Sequence, residues 1–253
     1  MGGVARRAAI IRFQRDQAQH TLVLDAGNSL LGDSDPALET RGRTSVEAMN
    51  RMGYDALALG MQDISSLELS ELRERLAEAQ FPVLSANAYL AGTQELLTDP
   101  YVVMAMADHR VGILGLTDAG GTEEVVATDP VLAARKWLPR LQRVADIIII
   151  LSHAGLDTDQ AIAGQLPGID VIVSGRGGSL DQPIVAEPSG TILLHADRAV
   201  RGSAGTRLGI AHLSFDKAGS LAEYEWRKII LTSDFGEDRG MAAWVEETTA
   251  GCR

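Results

Sequence analysis

Four polar segments, each containing glycine, follow short apolar runs and hold the residues best suited to chemistry. They are residues 25–28 (DAGN), 60–63 (GMQD), 152–155 (SHAG) and 174–178 (SGRGG). Carboxylate, amide and imidazole groups are metal ligands or proton carriers, whereas a guanidinium binds phosphate or carboxylate. In open α/β sheets, ligand sites assemble at the carboxyl ends of strands, where glycine lets the backbone approach a ligand closely. The spacing predicts that these segments meet at one site.

Two of these segments contain side chains with more than one interpretation. Arg176, together with nearby glycines such as Gly177, can form an anion-binding nest. Arg176 can equally form an ion pair with Asp25 or Asp63 and fill the site. His153 is either a metal ligand or a hydrogen-bonded core histidine, since it directly follows an apolar run.

Helix and strand patterns alternate over the first two thirds of the chain and must position these segments. Buried strands are predicted over 22–24, 55–59, 81–87, 147–151 and 170–173, and a hairpin over 101–107 and 110–117. A capping box at Thr44 opens a helix that Gly53 closes, and further helices cover 66–80, 129–144 and 157–164. The chain becomes β-rich after residue 184 and ends in a polar helix over 236–247. This order predicts one α/β domain over residues 1–253.

Composition excludes several classes of function. The net charge of −11 and pI near 4.9 argue against broad binding to nucleic acid or to an anionic membrane. The longest apolar run, residues 144–151, is too short to span a bilayer. Cys252 is the only cysteine, so no internal disulfide forms. No apolar signal core follows Met1, which predicts a cytoplasmic protein as written, or a periplasmic or extracellular one if the natural start lies upstream.

Five stretches resemble, in order, the motifs of the calcineurin-like metallophosphoesterase superfamily, nearest its 5′-nucleotidase branch. They are TLVLDAGNSLLG (21–32), VEAMNRMGYDALALGMQD (46–63), FPVLSAN (81–87), IIILSHAG (148–155) and IDVIVSGRGG (169–178). The resemblance implies a four-layer α/β/β/α sandwich that lacks the usual first strand and the C-terminal nucleotide-specificity domain. The missing strand would leave a sheet edge exposed to a protein partner or to self-association.

The resemblance also implies which residues would hold the two divalent cations (Mn, Zn, Fe or Ca) of the family. His153 corresponds to a retained ligand, and Asn28 replaces the bridging aspartate as a vestigial second ligand. Other family positions carry different residue types: Met61 for a ligand asparagine, Gln62 for the assisting histidine beside the acid Asp63, and Arg176 and Gly178 for two histidines. No catalytic residue and no cofactor are therefore expected.

Three functions remain open at this point. The losses favour a degenerate 5′-nucleotidase-like domain that acts as a non-catalytic binding, regulatory or structural module. The alternatives are a metal-dependent hydrolase of phosphate esters with an altered site, and a sensor that binds a nucleotide or phosphate through Arg176. The expected ligand is a phosphate-bearing small molecule.

Overall fold

A computed structural model of the chain describes residues 3–32, 34–178, 180–196 and 205–250, so Cys252 lies outside the described residues. The helices are α1 (Val4–Gln17), α2 (Asp35–Glu39), α3 (Arg43–Met52), α4 (Met61–Ser65), α5 (Leu69–Glu78), α6 (Pro130–Leu141), α7 (Leu156–Gln165) and α8 (Arg239–Ala250). The strands are β1 (Leu24–Asp25), β2 (Ala56–Ala58), β3 (Val83–Leu84), β4 (Ala88–Leu90), β5 (Tyr101–Met106), β6 (His109–Leu116), β7 (Gly120–Gly121), β8 (Val125–Ala127), β9 (Ile147–Ser152), β10 (Val171–Ser174), β11 (Ile184–Val185), β12 (Ile192–Leu194), β13 (Arg207–Phe215) and β14 (Leu221–Ile230).

Two stacked sheets form the centre of the molecule. The first is parallel with the order β1-β2-β3, and among the described residues β1 pairs only with β2. The second has the order β11-β12-β10-β9-β6-β5, in which the four inner strands are parallel. Strands β4, β8 and β7 form a small antiparallel sheet, and β13 pairs with β14 as a ribbon.

Three apolar clusters separate four layers of secondary structure. One cluster joins helices α1, α3, α5 and α8 to the first sheet, with Met49, Leu57 and Trp244 among its members. The middle cluster fills the space between the two sheets, and the third joins the second sheet to α6 and α7. All six residues of β9 are buried, because this strand has an apolar layer on both faces. The α/β/β/α sandwich is therefore confirmed.

The local predictions have mixed outcomes. The hairpin over β5 and β6 is confirmed, and Gly53 ends α3 in the left-handed conformation at φ 69°. The capping box at Thr44 is wrong, because α3 starts at Arg43 after a left-handed Gly42 and the Thr44 hydroxyl bonds that of Thr40 at 3.0 Å. Within the described ranges, no helix has the length and apolar character needed to cross a bilayer.

Candidate functional site

Glycine lets the four predicted segments pack directly against one another. A Cβ atom added at Gly60 would lie 2.1 Å from Asn28 Oδ1, and one at Gly175 would lie 2.8 Å from His153 Nδ1. A Cβ atom at Gly27 would lie 2.9 Å from the Gly60 nitrogen. These approaches need a residue without a side chain. The prediction that the four segments meet is confirmed. They pack so closely that no other atom fits between Asn28 and His153, which are in direct contact.

A chain of three hydrogen bonds connects three of the four segments, 25–28, 60–63 and 152–155. The Gln62 backbone N–H donates to Asn28 Oδ1 at 3.1 Å, and Asn28 Nδ2 lies 2.7 Å from His153 Nε2. His153 Nδ1 lies 2.9 Å from the Ala26 carbonyl oxygen. The two ends decide every proton position, because a backbone N–H can only donate and a carbonyl can only accept. Asn28 Nδ2 therefore donates to Nε2, and Nδ1–H donates to Ala26.

His153 is accordingly a neutral core histidine. Its side chain is 1% exposed, and burial lowers its pKa below the ordinary value for histidine. A neutral imidazole has one donor and one acceptor, and both are used in the hydrogen-bond chain. No lone pair on His153 remains for another ligand.

The buried Asp63 side chain links segment 60–63 to segment 25–28 through hydrogen bonds. It is 1% exposed, and its carboxylate accepts the backbone N–H groups of Asn28 at 2.8 Å, Leu30 at 2.9 Å and Gly60 at 3.0 Å. Burial raises the pKa of Asp63 to about 6, although the three N–H donors act in the opposite direction. The neighbouring Gln62 side chain is exposed and takes no part in the hydrogen-bond chain.

Arg176 pairs with a residue that the sequence did not indicate. Its guanidinium lies 3.1 Å from Asp118 Oδ2, so the expected ion pair with Asp25 or Asp63 is wrong. Asp118 also accepts the Met61 backbone N–H at 2.7 Å. Gly177, which was expected to help bind an anion, packs against α7, where an added Cβ would lie 3.2 Å from the Leu156 nitrogen.

Arg176 and Asp118 line an open cavity beside the hydrogen-bond chain. The cavity has a volume of about 280 Å³, and its other lining residues are Ala119, Asp129, Pro130, Val131, Ala154 and Thr158. The Asp129 carboxylate caps α6 by accepting the Val131 and Leu132 N–H groups. Arg176 is 54% exposed, so its guanidinium is accessible from solvent.

Asp159 is a second buried carboxylate near His153, and the sequence did not indicate it. Asp159 is fully buried in the first turns of α7, and the Ser152 hydroxyl donates to its Oδ1 at 2.5 Å. Burial raises the pKa of Asp159 to about 6, and hydrogen bonds from Ser152 and Ser174 oppose this shift. Because the two serines end β9 and β10, Asp159 connects the strands that carry His153 and Arg176.

The residues at this site do not fit a dimetal centre. Among the residues that the structure describes, no group of three His, Cys, Asp or Glu side chains could hold a metal ion. The Nε2 atom of His153 accepts the Asn28 amide, and the Met61 thioether is a poor ligand for hard cations. The donor set therefore disagrees with the metal chemistry that the family resemblance implied.

Comparison with known proteins finds 5′-nucleotidases among the curated relatives and among the solved structures. The chain is 32% identical over 270 residues to a snake venom 5′-nucleotidase from Gloydius brevicauda, covering 97% of this chain and 46% of that protein. A 5′-nucleotidase precursor from Thermus thermophilus superposes with a TM-score of 0.86 at 28% identity, covering 99% of this chain and 53% of that one. No family model matches the sequence.

A third comparison supports the fold alone. A calcineurin-like phosphoesterase from Bacillus subtilis superposes with a TM-score of 0.82 at 22% identity, over 99% of this chain and 89% of that one. The chain spans about half the length of the curated 5′-nucleotidases that it matches.

Proposed function

Because the chain is a calcineurin-like metallophosphoesterase domain of the 5′-nucleotidase type, we propose that it is a non-catalytic member that does not hydrolyse phosphate esters through a dimetal centre. Residues 1–253 would then act as one binding, regulatory or structural domain. The supporting observation is the 2.7 Å contact between Asn28 Nδ2 and His153 Nε2.

In this contact, a hydrogen atom of the Asn28 amide lies where a cation would otherwise be needed between residue 28 and His153 Nε2. A carboxylate at position 28 would point an oxygen at the lone pair of Nε2, and only a proton or a cation between them would satisfy both groups. The asparagine amide supplies its own hydrogen, and its Oδ1 is occupied by the Gln62 N–H. The site is thus complete with the groups of the chain itself.

Metal analysis and phosphatase assays test the proposal. Purified protein should contain much less than one equivalent of Mn, Zn, Fe or Ca by plasma mass spectrometry. It should release no phosphate above the blank from AMP or an aryl phosphate with added Mn²⁺. Stoichiometric metal, or turnover that His153→Ala abolishes, would show that the site is catalytic after all and would refute the proposal.

A second candidate, the binding of a phosphate-bearing small molecule, is favoured by the position of Arg176 in the cavity. Its partner Asp118 already accepts the Met61 N–H, so a phosphate could take the guanidinium without leaving that carboxylate unpaired. Thr158, which lies in the first turn of α7, lines the same cavity, and its hydroxyl can donate a hydrogen bond to an anion.

Thermal shift measurements separate this candidate from a purely structural domain. AMP at about one hundred times its dissociation constant would stabilise the fold by about 2.7 kcal/mol. The stabilisation should be lost in Arg176→Ala and kept in Arg110→Ala, which removes a similarly exposed arginine paired with Asp146. Equal stabilisation by adenosine, or an unchanged response in Arg176→Ala, would exclude phosphate recognition through Arg176.

A further inference from the structure

The solvent face of α6 carries a concentration of positive charge that the site does not use. Arg135, Lys136 and Arg140 lie on this helix, Arg143 lies just beyond its end, and all four are exposed. At 100° per residue, these four positions and Leu132 fall on one side of the helix. Residues 130–145 contain no acidic residue. We refer to these five side chains as the basic face.

The four cations of the basic face form no ion pair with the described residues. Arg135 donates to the Gln165 side-chain oxygen at 3.1 Å, and Lys136 donates to the Tyr89 hydroxyl at 3.1 Å. Some similarly exposed arginines elsewhere form ion pairs with carboxylates, although the exposed Arg73 and Arg239 form none with the described residues. Arg43 lies 3.3 Å from Glu78, and Arg110 lies 3.3 Å from Asp146. The basic face differs from Arg73 and Arg239 because it gathers four cations, without an ion pair in the described part of the chain, on one side of one helix.

Aromatic rings hold two of these cations in place. The Lys136 ammonium lies 5.1 Å from the centre of the Trp137 ring, and the Arg140 guanidinium lies 4.7 Å from the same centre. Such contacts are attractive and restrict the side chains, so less conformational entropy is lost when a partner binds. The basic face is thus partly preorganised.

Helix stability does not account for the whole pattern. Arg140 and Arg143 lie near the C-terminal end of α6, where cations interact favourably with the helix dipole. Arg135 and Lys136 lie in the middle of the helix and gain little from that effect. Lys136 and Arg140 are four residues apart, a spacing at which like charges destabilise a helix. An acidic partner would turn this repulsion into attraction.

We propose that the basic face of α6 is a docking surface for an acidic protein segment that carries an apolar side chain. The charges of such a segment would pair with the four cations, while Leu132, which is 60% exposed, would offer it an apolar contact. An extended polyanion fits less well. The formal net charge is −11, so the rest of the chain without these four cations carries −15 and would repel those parts of nucleic acid or of an anionic membrane that extend beyond the basic face.

Fluorescence anisotropy with a labelled peptide tests this proposal. The probe is a ten-residue peptide of four glutamates, two leucines and four serines, whose charge matches the four cations, titrated with the full chain at low and at physiological salt. Binding should weaken as salt screens the charges. In the triple variant Arg135→Gln, Lys136→Gln, Arg140→Gln, we expect binding to weaken by about tenfold, the combined effect of several screened ion pairs.

The matched control removes the same charge from another surface. The variant Arg43→Gln, Arg51→Gln, Arg110→Gln neutralises three exposed arginines that pair with their own carboxylates, and it should bind the peptide like the wild type. Equal weakening in both variants, or no binding at low salt, would overturn the proposal. Tighter binding of a ten-residue uridine RNA or of phosphatidylserine vesicles would instead assign the face to nucleic acid or to a membrane.

Discussion

Replacing Asn28 by aspartate tests the hydrogen-bond chain of the site directly. The substitution keeps the oxygen that accepts the Gln62 N–H and changes only the group that faces His153 Nε2 at 2.7 Å. Aspartate also tolerates the left-handed conformation of this residue, whose φ is 59°. At pH 8, two acceptors would face each other where a donor and an acceptor now meet.

The expected cost combines a lost hydrogen bond with two unsatisfied, partly buried acceptors. Together these amount to about 2 kcal/mol of unfolding free energy, which lowers the melting temperature of a domain of this size by about 4–8 °C. The new carboxylate would raise the pKa of His153 in the folded state. The attraction between protonated His153 and the new carboxylate then stabilises the variant at low pH, and this stabilisation is lost as pH rises through the raised pKa of His153.

Differential scanning calorimetry at pH 5.5 and pH 8 measures both effects. Asn28→Asp should approach wild-type stability at pH 5.5 and fall below it at pH 8. The control Gln62→Ala should change the unfolding free energy by less than about 0.5 kcal/mol, because only the backbone N–H of Gln62 joins the chain. A variant as stable as the wild type at pH 8 would refute the proposed proton arrangement.

Two further predictions concern the carboxylate and the glycines of the site. The raised pKa of Asp159, about 6, means that protonation favours the folded state, so its effect should lower wild-type stability as pH rises from about 4 to about 6. Urea denaturation measures the difference in unfolding free energy between pH 4.5 and pH 7, and Asp159→Asn should make this difference about 2 kcal/mol smaller. The same pH dependence in the variant and the wild type would contradict a raised pKa of Asp159. Gly60→Ala places a Cβ atom 2.1 Å from Asn28 Oδ1 and should cost more than about 2 kcal/mol by thermal unfolding. Gly164→Ala, with open space in α7, should stabilise by about 0.5–1 kcal/mol, and equal effects at both glycines would argue against the close packing.

Regular apolar patterns made most of the fold predictable from the sequence. Strand β9 is apolar over almost its whole length because it has an apolar layer on each face, and such a run needs no alignment to be recognised. The glycine-bearing segments after the strands likewise predicted which loops would meet. The small sheet of β4, β8 and β7 was missed, because its strands have at most three residues and show no period.

Pairings between distant side chains were the part that could not be predicted. Arg176 and Asp118 are 58 positions apart, and nothing local distinguishes Asp118 from Asp25 or Asp63 as its partner. Thr44 showed the same limit on a smaller scale: its sequence fits a capping box, yet the N-cap of the helix is the left-handed Gly42, two residues earlier. Polar partners depend on tertiary positions, which the order of residue types does not specify.

The hydrogen-bond chain between Gln62, Asn28, His153 and Ala26 also limits which substitutions the site can accept during evolution. On the proposal that the domain is non-catalytic, an aspartate at position 28, with Met61, Arg176 and Gly178 still in place, would face the lone pair of His153 Nε2 and would lower stability before any cation could be held. Each later substitution would help only after the earlier ones had been made. On the same proposal, any route from this arrangement to a metal site would pass through less stable variants, so single substitutions would tend to preserve the hydrogen-bond chain.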